Sequence, residues 1–289
     1  MSLKQICGVT VSVPDLSAQV QVYRDFLGLS LKEQGAVSAD QARAWGTPDM
    51  AGAACAVLSP AARPGHEFRM VERGSRDDFV PFRFHGWNAL EIVVQDVDGL
   101  AIELADSPFE ILGPPDDLSI SDQIRAMQVV GPAGELLYLT QIKGPVPGFD
   151  LPMAHTPVEH TFVTILGGPD MDGMKSFYSR RFGLPDAPAV EARVTVLSRA
   201  FDLPREHYHP IAAVPLGSPG FLLELDQMPA EAGPRPVNPG QLAPGISMVS
   251  YAVDSLEPWS DDLLGPPAGR AGCMTGAVGE LIELVETPA

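Results

Sequence analysis

Acidic and imidazole side chains stand within several apolar, strand-like stretches of this 289-residue chain. Glu224 lies in GFLLEL, Glu283 lies in GELIEL, and His160 begins the stretch HTFVTIL. Alternation along a strand places each glutamate opposite its leucine or isoleucine neighbours, facing either solvent or an enclosed space. A carboxylate that faces an apolar interior is costly unless a cation or a proton accompanies it. Inward-facing glutamates would therefore indicate a metal site or acid–base chemistry.

Two further histidines, His207 and His209, occur in the stretch REHYHP. Side chains at positions i and i+2 of a strand share a face, so this pair could bind a metal or a substrate. The polar neighbours are more typical of a solvent-exposed loop, which is the interpretation we favour.

Composition excludes several classes of function. Nineteen Lys and Arg residues against 37 Asp and Glu give a net charge of −18, which disfavours binding to nucleic acid or to an anionic membrane. We find neither an apolar run of the ~18 residues that a membrane span needs nor a signal peptide. Three widely spaced cysteines are not typical of a disulfide framework or a cysteine zinc site. These features predict a cytoplasmic protein with about two domains of ~150 residues each.

The chain contains an internal repeat. Residues 14–29 read PDLSAQVQVYRDFLGL and residues 169–184 read PDMDGMKSFYSRRFGL, with Pro, Asp, Tyr, Gly and Leu matching at one constant offset. Residues 131–139 (GPAGELLYL) similarly match residues 276–284 (GAVGELIEL). Each half of the chain therefore contains two unlike units, and the first half resembles the second.

The local pattern of the first unit predicts a strand, a helix and three further strands. Residues 6–13 alternate and are rich in β-branched side chains, so they predict a strand. Asp15 can cap the following helix and Gly28 can end it. Three strands are predicted to follow, over residues 29–33, 53–58 and 67–72. The unit is therefore βαβββ.

Three more units of this kind are predicted to begin near Ala89, His160 and Ser247, the last with a short helix. The Pro-rich stretches 144–157 and 227–245 are typical of linkers.

The order of these motifs resembles the vicinal oxygen chelate superfamily, the group of glyoxalases, bleomycin-resistance proteins and extradiol dioxygenases. The similarity rests on a strand, PDL, a helix ending in Y-x-x-x-L-G-L, and a later G-E-L-I-E-L strand, and it extends over nearly the whole chain. It implies an α+β fold in which four βαβββ modules form two glyoxalase/dioxygenase-type half-barrel cups. We expect a module pair in residues 1–144 and another in residues 157–289.

The resemblance also implies where a metal would bind, because ligands come from the first and last strands of paired modules. In the N-terminal half these positions hold Gly8, Arg69, Ala89 and Tyr138, which form no suitable ligand set, and a guanidinium would oppose a cation. That half is therefore expected to be metal-free.

In the C-terminal half, the corresponding positions hold His160, Glu224, Ser247 and Glu283, if the region around Gly167–Gly168 is an insertion of three residues. These four converge only if the third module pairs with the fourth. We predict this in-line pairing because the alternative leaves each site with at most two good ligands.

One histidine with two glutamates is similar to the ligand set of glyoxalase-I-like lyases, which implies Zn²⁺ or Ni²⁺ more than Fe²⁺. The resemblance therefore implies a metal-dependent lyase or isomerase acting on a small hydroxycarbonyl-type compound, with Glu224 or Glu283 as the base. One alternative is an extradiol dioxygenase with a degenerate iron site, because Ser247 replaces its second histidine. Another is a metal-free small-molecule binding protein on the same scaffold. A homodimer is also expected from the fold.

Overall fold

A computed structural model describes residues 2–73, 78–118 and 121–287. The first unit contains β1 (Ile6–Val13), α1 (Leu16–Leu27), β2 (Ser30–Ala36), α2 (Ala39–Ala44), a 3₁₀ turn (Pro48–Met50), β3 (Ala54–Ser59) and β4 (Glu67–Glu72). The second contains β5 (Gly86–Val94), α3 (Val97–Leu104), β6 (Glu110–Leu118), β7 (Ser121–Val130) and β8 (Leu136–Ile142). The third contains β9 (Val158–Gly168), α4 (Met171–Phe182), β10 (Val190–Ala192), α5 (Thr195–Ala200), β11 (His209–Pro215) and β12 (Leu222–Gln227). The fourth contains β13 (Gly245–Val253), a 3₁₀ helix (Glu257–Asp262), β14 (Ala271–Thr275) and β15 (Leu281–Glu286).

The repeated helix has the predicted boundaries. The Asp15 carboxylate accepts a hydrogen bond from the Ala18 amide (2.9 Å) and so caps α1. Gly28 ends α1 in the left-handed conformation (φ 64°), and Gly183 ends α4 in the same way. Asp170 occupies the capping position of α4 but makes no side-chain capping bond.

The modules pair differently from the sequence-based expectation. Sheet one has the strand order β14-β15-β13-β1-β4-β3-β2, and sheet two has the order β10-β11-β12-β9-β5-β8-β7-β6. The first unit therefore pairs with the fourth through β1 and β13, and the second pairs with the third through β5 and β9. The in-line pairing was wrong, and each sheet takes strands from both halves of the chain.

The two sheets pack against each other through one face of each. The Tyr251 hydroxyl of β13 is 2.8 Å from the Thr164 hydroxyl of β9, and the Trp87 indole donates to the Leu281 carbonyl (2.8 Å). The opposite face of each curled sheet points outward. We call the outward face of sheet one cup one and that of sheet two cup two.

Two equivalent hydrogen bonds join units that are consecutive in the sequence but lie in different sheets. One joins the first unit to the second, and the other joins the third unit to the fourth. The Tyr23 hydroxyl of α1 donates to Glu135 before β8 (2.8 Å), and the Tyr178 hydroxyl of α4 donates to Glu280 before β15 (2.6 Å). Burial raises the pKa of Glu135 to about 7 and also raises the pKa of Glu280. The tyrosine and the glutamate of the repeat therefore form a helix-to-turn contact, which occurs twice in the molecule.

Candidate functional site

Cup one is centred on a buried ion pair. Arg69 of β4 and Glu283 of β15 are separated by 3.1 Å between Nη1 and Oε2. The Glu283 carboxylate also accepts hydrogen bonds from the Ser250 hydroxyl (2.5 Å) and the Trp45 indole (2.9 Å). Because every one of these partners is a donor, the geometry stabilises an ionised Glu283.

The electrostatic result is a carboxylate that stays charged although it is buried. Burial alone would raise the pKa of Glu283, but the charge of Arg69 and the bonds from Ser250 and Trp45 bring that pKa below its ordinary value. Glu283 is therefore a weak base held by a permanent cation.

The helix α2, inserted between the second and third strands of the first unit, partly covers cup one. Trp45 follows this helix and is almost fully buried, and the Arg69 guanidinium lies over its ring at 5.4 Å from the centroid. A small separate core forms in this region from Val37, Ala42, Trp45, Met50, Val71, Leu242, Met248 and Cys273. A cavity of about 450 Å³ remains beside the ion pair.

Cup two carries carboxyl groups on neighbouring strands. Glu91 of β5 lies opposite Tyr138 of β8 and opposite Val163 of β9. On the other side of β9, Glu224 of β12 pairs with Ile165. Asp226 follows two residues after Glu224 and therefore shares its face of the sheet.

These carboxyl groups share one face of sheet two and have no cationic partner among the described residues. Burial, together with the charges of Asp226 and Glu91, raises the pKa of Glu224 well above its usual value. Burial also raises the pKa values of Glu91 and Asp226 to about 7 each. None of the three forms an ion pair within the part of the chain that the structure describes. Cup two therefore holds protons where cup one holds an arginine.

Exposure distinguishes the roles that the three carboxyl groups can take. Glu91 and Glu224 are half-buried, as is Tyr138, so a molecule in cup two can reach them. Asp226 is fully buried, and neither of its carboxyl oxygens has a hydrogen-bond partner among the described residues. The Thr140 hydroxyl donates to Glu91 (2.6 Å) and fixes its orientation.

His160 lies where the two sheets meet, away from the carboxyl groups of cup two. Its ring is 6.1 Å from that of His66, which precedes β4, and 5.4 Å from that of Phe221. Burial lowers the pKa of His160 to about 4. The contacts of His160 and those of Glu224 share no residue.

The register of β9 explains this placement. The pairing of β5 with β9 shifts between Glu91 and Ile92, which is the signature of a β-bulge. Val163, not His160, therefore occupies the position opposite Glu91 and Leu222. The assumed insertion before Asp170 is not needed, because β9 continues without interruption to Gly168.

The remaining candidates lie outside both clusters. Ser247 lies in β13, and its hydroxyl is 2.6 Å from the Ser12 hydroxyl of β1. The same hydroxyl is 2.6 Å from the carbonyl of Ala243, which precedes β13. The predicted solvent-exposed loop is correct for His207 and wrong for His209. His209 begins β11, is buried, and has its Nε2 2.9 Å from the Ser198 hydroxyl. The two imidazole rings lie 4.7 Å apart.

The three predicted metal ligands are not brought together by this arrangement. Glu283 belongs to sheet one and is paired with Arg69, Glu224 faces cup two, and His160 lies at the seam between the sheets. Within residues 2–73, 78–118 and 121–287, no group of three His, Cys, Asp or Glu side chains is placed to hold a metal ion.

Sequence reasoning missed Glu91, Asp226 and the ion pair of Arg69 with Glu283. The sequence does contain a strand-alternation pattern that indicates Glu91 and Asp226. Glu91 alternates with apolar residues in ALEIVV, and Asp226 follows Glu224 at the spacing that shares a strand face. The ion pair depends on the pairing of the first unit with the fourth, which the local sequence does not specify.

No protein-family model matches the sequence, and no curated protein matches it. The structure is similar to that of a mutant of glyoxalase I from Zea mays, with a TM-score of 0.66 and 15% identity, over 99% of this chain and 94% of that one. It is also similar to a candidate dioxygenase from Bacillus subtilis, with a TM-score of 0.64 and 12% identity, over 100% of this chain and 86% of that one.

The chain has the vicinal oxygen chelate fold. The α+β architecture of βαβββ modules and half-barrel sheets is thereby confirmed. At 12–15% identity the similarity extends to the fold, and the chemistry of a vicinal oxygen chelate protein is decided by the residues of its cups.

Proposed function

We propose that the protein is a lyase or isomerase that moves protons on a small hydroxycarbonyl-type compound bound in cup two. One observation supports this proposal, namely that Glu91, Glu224 and Asp226 share one face of sheet two without a cationic partner among the described residues. Buried carboxyl groups that repel one another do not all ionise together, so the cluster retains a proton near neutral pH. A general acid and a general base work best when their pKa values lie near the working pH.

The exposure of each group assigns its role. Glu224 is the base in the state in which Glu91 carries the proton, because Glu224 is accessible and burial beside Asp226 makes its ionised form a strong proton acceptor. Glu91 is the acid, because it is accessible and shares the face of Tyr138. Asp226 is a positioning residue, because it is fully buried beside Glu224 and out of reach of a bound molecule.

Ionised Glu224 removes a proton from the carbon that bears the hydroxyl group, while protonated Glu91 gives a proton to the neighbouring carbonyl oxygen. The product is an enediol, and both carboxyl groups have exchanged their protonation states. Return of a proton from Glu224 to the other carbon, with proton removal from the other oxygen by Glu91, gives the isomer and restores the starting state. The neutral Tyr138 hydroxyl can donate to the oxygen on which charge develops.

A divalent metal ion is the cofactor that the sequence comparison implied. The donor set of His160, Glu224 and Glu283 does not fit such an ion, because these residues lie in three different places. We therefore derive no step through a metal, and the proposed Zn²⁺, Ni²⁺ or Fe²⁺ is tested by metal analysis of the purified protein. The extradiol dioxygenase alternative needs two histidines and a carboxylate on one iron, and the contacts of Glu224 include no histidine.

The test of the proposal is solvent-deuterium exchange, which detects proton removal without knowledge of the final product. Dihydroxyacetone, glyceraldehyde and hydroxyacetone are incubated with the protein in D₂O, and loss of the carbon-bound proton is followed by ¹H NMR. We expect exchange above the uncatalysed rate, at least 100-fold slower in Glu224→Gln, and unchanged in the exposed-site control Glu103→Gln. Equal exchange by Glu224→Gln and wild type would contradict the proposal.

A parallel series separates the metal-dependent version of this activity. Wild type and His160→Ala are compared by plasma mass spectrometry and by exchange rate, each with and without a chelator. Retention of exchange after chelation supports the acid–base account. One equivalent of transition metal that is lost in His160→Ala, together with lost exchange, supports the metal-dependent account instead.

Cellular location and assembly stay predictions. None of the helices in the described part of the chain has both the length and the apolar character of a membrane-spanning segment. A homodimer and a cytoplasmic location are proposed from the fold class and the composition, and light scattering of the purified protein tests the former.

A further inference from the structure

Cup one has the features of a second ligand site that is independent of the acid–base cluster. Its cavity of about 450 Å³ lies within the range of roughly 300–1,000 Å³ that is usual for small-molecule sites. The lining of the cavity includes Trp45, Arg69 and Glu283. The Arg69–Glu283 ion pair therefore adjoins a cavity that is large enough for a small ligand.

The guanidinium of Arg69 retains donors that the protein does not use. Its Nη1 donates to Glu283 (3.1 and 3.2 Å) and to Thr10 (3.3 Å), and its Nη2 makes one long contact with Glu67 (3.4 Å). A guanidinium has five N–H groups. The Nε hydrogen and one Nη2 hydrogen have no acceptor among the described residues, although Arg69 lines the cavity.

Charge decides what kind of acceptor suits these donors. The single positive charge of Arg69 is already offset by Glu283 and by the half-exposed Glu67. Asp40 also lines the cavity. An anionic ligand would meet an excess of carboxylates, whereas a neutral carbonyl oxygen accepts the free hydrogens without electrostatic cost.

Small residues make up much of the remaining lining of the cavity. They are Ala44, Ala268, Gly269, Ala271 and Gly272. Because these residues project little into the cavity, they leave space for a ring beside the Trp45–Arg69 contact. A flat apolar body with one carbonyl group matches both the shape and the polarity of the cavity.

We propose that cup one binds a small, uncharged, planar carbonyl compound whose carbonyl oxygen accepts hydrogen bonds from Arg69. Arg69 lies on β4, the last strand of the first unit, at the position where the family resemblance implies a metal ligand. Its guanidinium places a fixed positive charge at that position. Cup one therefore recognises a carbonyl oxygen through an arginine that is held in place by Glu283 and Trp45.

The experiment uses coumarin, a neutral planar lactone, titrated into the full-length protein. Binding is followed by isothermal calorimetry and by quenching of tryptophan fluorescence. The comparison compounds are 2H-chromene, which lacks the carbonyl group, and benzoate, which is anionic. We expect saturable binding of one coumarin per chain, and at least tenfold weaker binding of both comparison compounds.

Variants locate the site. Arg69→Lys keeps the charge beside Glu283 but loses the planar fork, and we expect at least tenfold weaker coumarin binding. Ala268→Leu fills the cavity without touching the ion pair, and we expect binding to be lost while the circular dichroism spectrum is unchanged. Arg24→Lys, on the exposed face of α1, and Glu224→Gln, in cup two, are expected to bind as wild type does.

Several results would overturn the proposal. These are no binding up to the solubility limit of coumarin, equal binding of coumarin and 2H-chromene, or undiminished binding by Ala268→Leu. Loss of binding in Glu224→Gln would place the ligand in cup two instead. Because the proposed acid–base activity is measured by exchange in cup two, failure of either proposal leaves the other testable.

Discussion

Cup one and cup two are built from the same kind of module pair, yet they manage buried charge in opposite ways. In cup one, Glu283 is ionised because Arg69, Ser250 and Trp45 all donate to it. In cup two, Glu91 and Glu224 share their face with other carboxyl groups and retain protons. The fold therefore determines where the last-strand glutamates, Glu283 and Glu224, are placed. The neighbouring side chains determine whether each glutamate is ionised or protonated.

The comparison also separates two kinds of chemistry. A permanently paired carboxylate is a poor base, but it orients an arginine that can bind a ligand oxygen. A carboxyl cluster that titrates near neutrality can exchange protons with a substrate. We therefore assign binding to cup one and proton transfer to cup two.

The largest expected effect on stability comes from removing the cation of cup one. Arg69→Met leaves Glu283 buried without its charge partner, and we expect the free energy of unfolding to fall by about 3–5 kcal/mol in urea denaturation. Arg24→Met, at an exposed position, is the matched control. A loss below 1 kcal/mol would show that the ion pair does not dominate cup one.

A smaller effect is expected when a carboxyl group of cup two is made neutral, and it depends on pH. The folded-state pKa of Glu91 is raised to about 7, so its contribution to stability is complete below its unfolded pKa near 4.5 and is lost as the pH rises through 7. Wild type should therefore lose stability between pH 4.5 and 7, and Glu91→Gln should lose roughly 1–3 kcal/mol less over that range. The measurement is the midpoint of urea unfolding at several pH values.

Glu103→Gln, at an exposed position of α3, controls for general charge effects. Parallel stability curves for Glu91→Gln and wild type would mean that Glu91 is ionised in the folded protein, as Glu283 is, and the contrast between the cups would disappear.

The next effect concerns the hydrogen bond that Trp45 contributes to cup one. Trp45→Phe retains an aromatic ring beside Arg69 but removes the N–H that donates to Glu283, and we expect a loss of about 1.5–2 kcal/mol. Trp259→Phe is the comparison, because its indole donates to a backbone carbonyl, that of Arg181. Equal losses in the two variants would indicate that the charge of Glu283 adds nothing to the bond.

The smallest expected effect concerns the tyrosine–glutamate hydrogen bond that occurs once in each half of the chain. Tyr23→Phe and Tyr178→Phe each remove the hydroxyl that donates to a buried glutamate, and we expect about 1 kcal/mol from each. The two sites share no partner, so the double variant should show additive losses. Strong non-additivity would show that the contacts are coupled through the sheets.

Much of the fold could be predicted from the sequence because it depends on local patterns. The strand over residues 6–13, the cap at Asp15 and the helix end at Gly28 all follow from residue type and spacing, and all are confirmed. The short helices α2 and α5 were missed because each is only six residues long. A single turn and a half carries little hydrophobic periodicity.

The candidate site was less predictable because it depends on strand pairing. Alternation together with the family resemblance identified Glu224, but its neighbours Glu91 and Asp226 belong to a cluster that exists only when the second unit pairs with the third. His160 was predicted on the assumption of an insertion before Asp170, but β9 runs without interruption to Gly168, so Val163 occupies the position next to Glu91 instead. Glu283 contacts Arg69 only because the first unit pairs with the fourth.

The most direct test of the account is a carboxyl ¹³C NMR titration of the labelled protein from pH 4 to 9. Resonances are assigned by their disappearance in Glu91→Gln, Glu224→Gln, Asp226→Asn and Glu283→Gln. The account predicts that Glu91 and Asp226 titrate with midpoints near pH 7, and that Glu283 is already ionised at pH 4.5. Titration of Glu91, Glu224 and Asp226 all below pH 5 would contradict the proton-holding character of cup two.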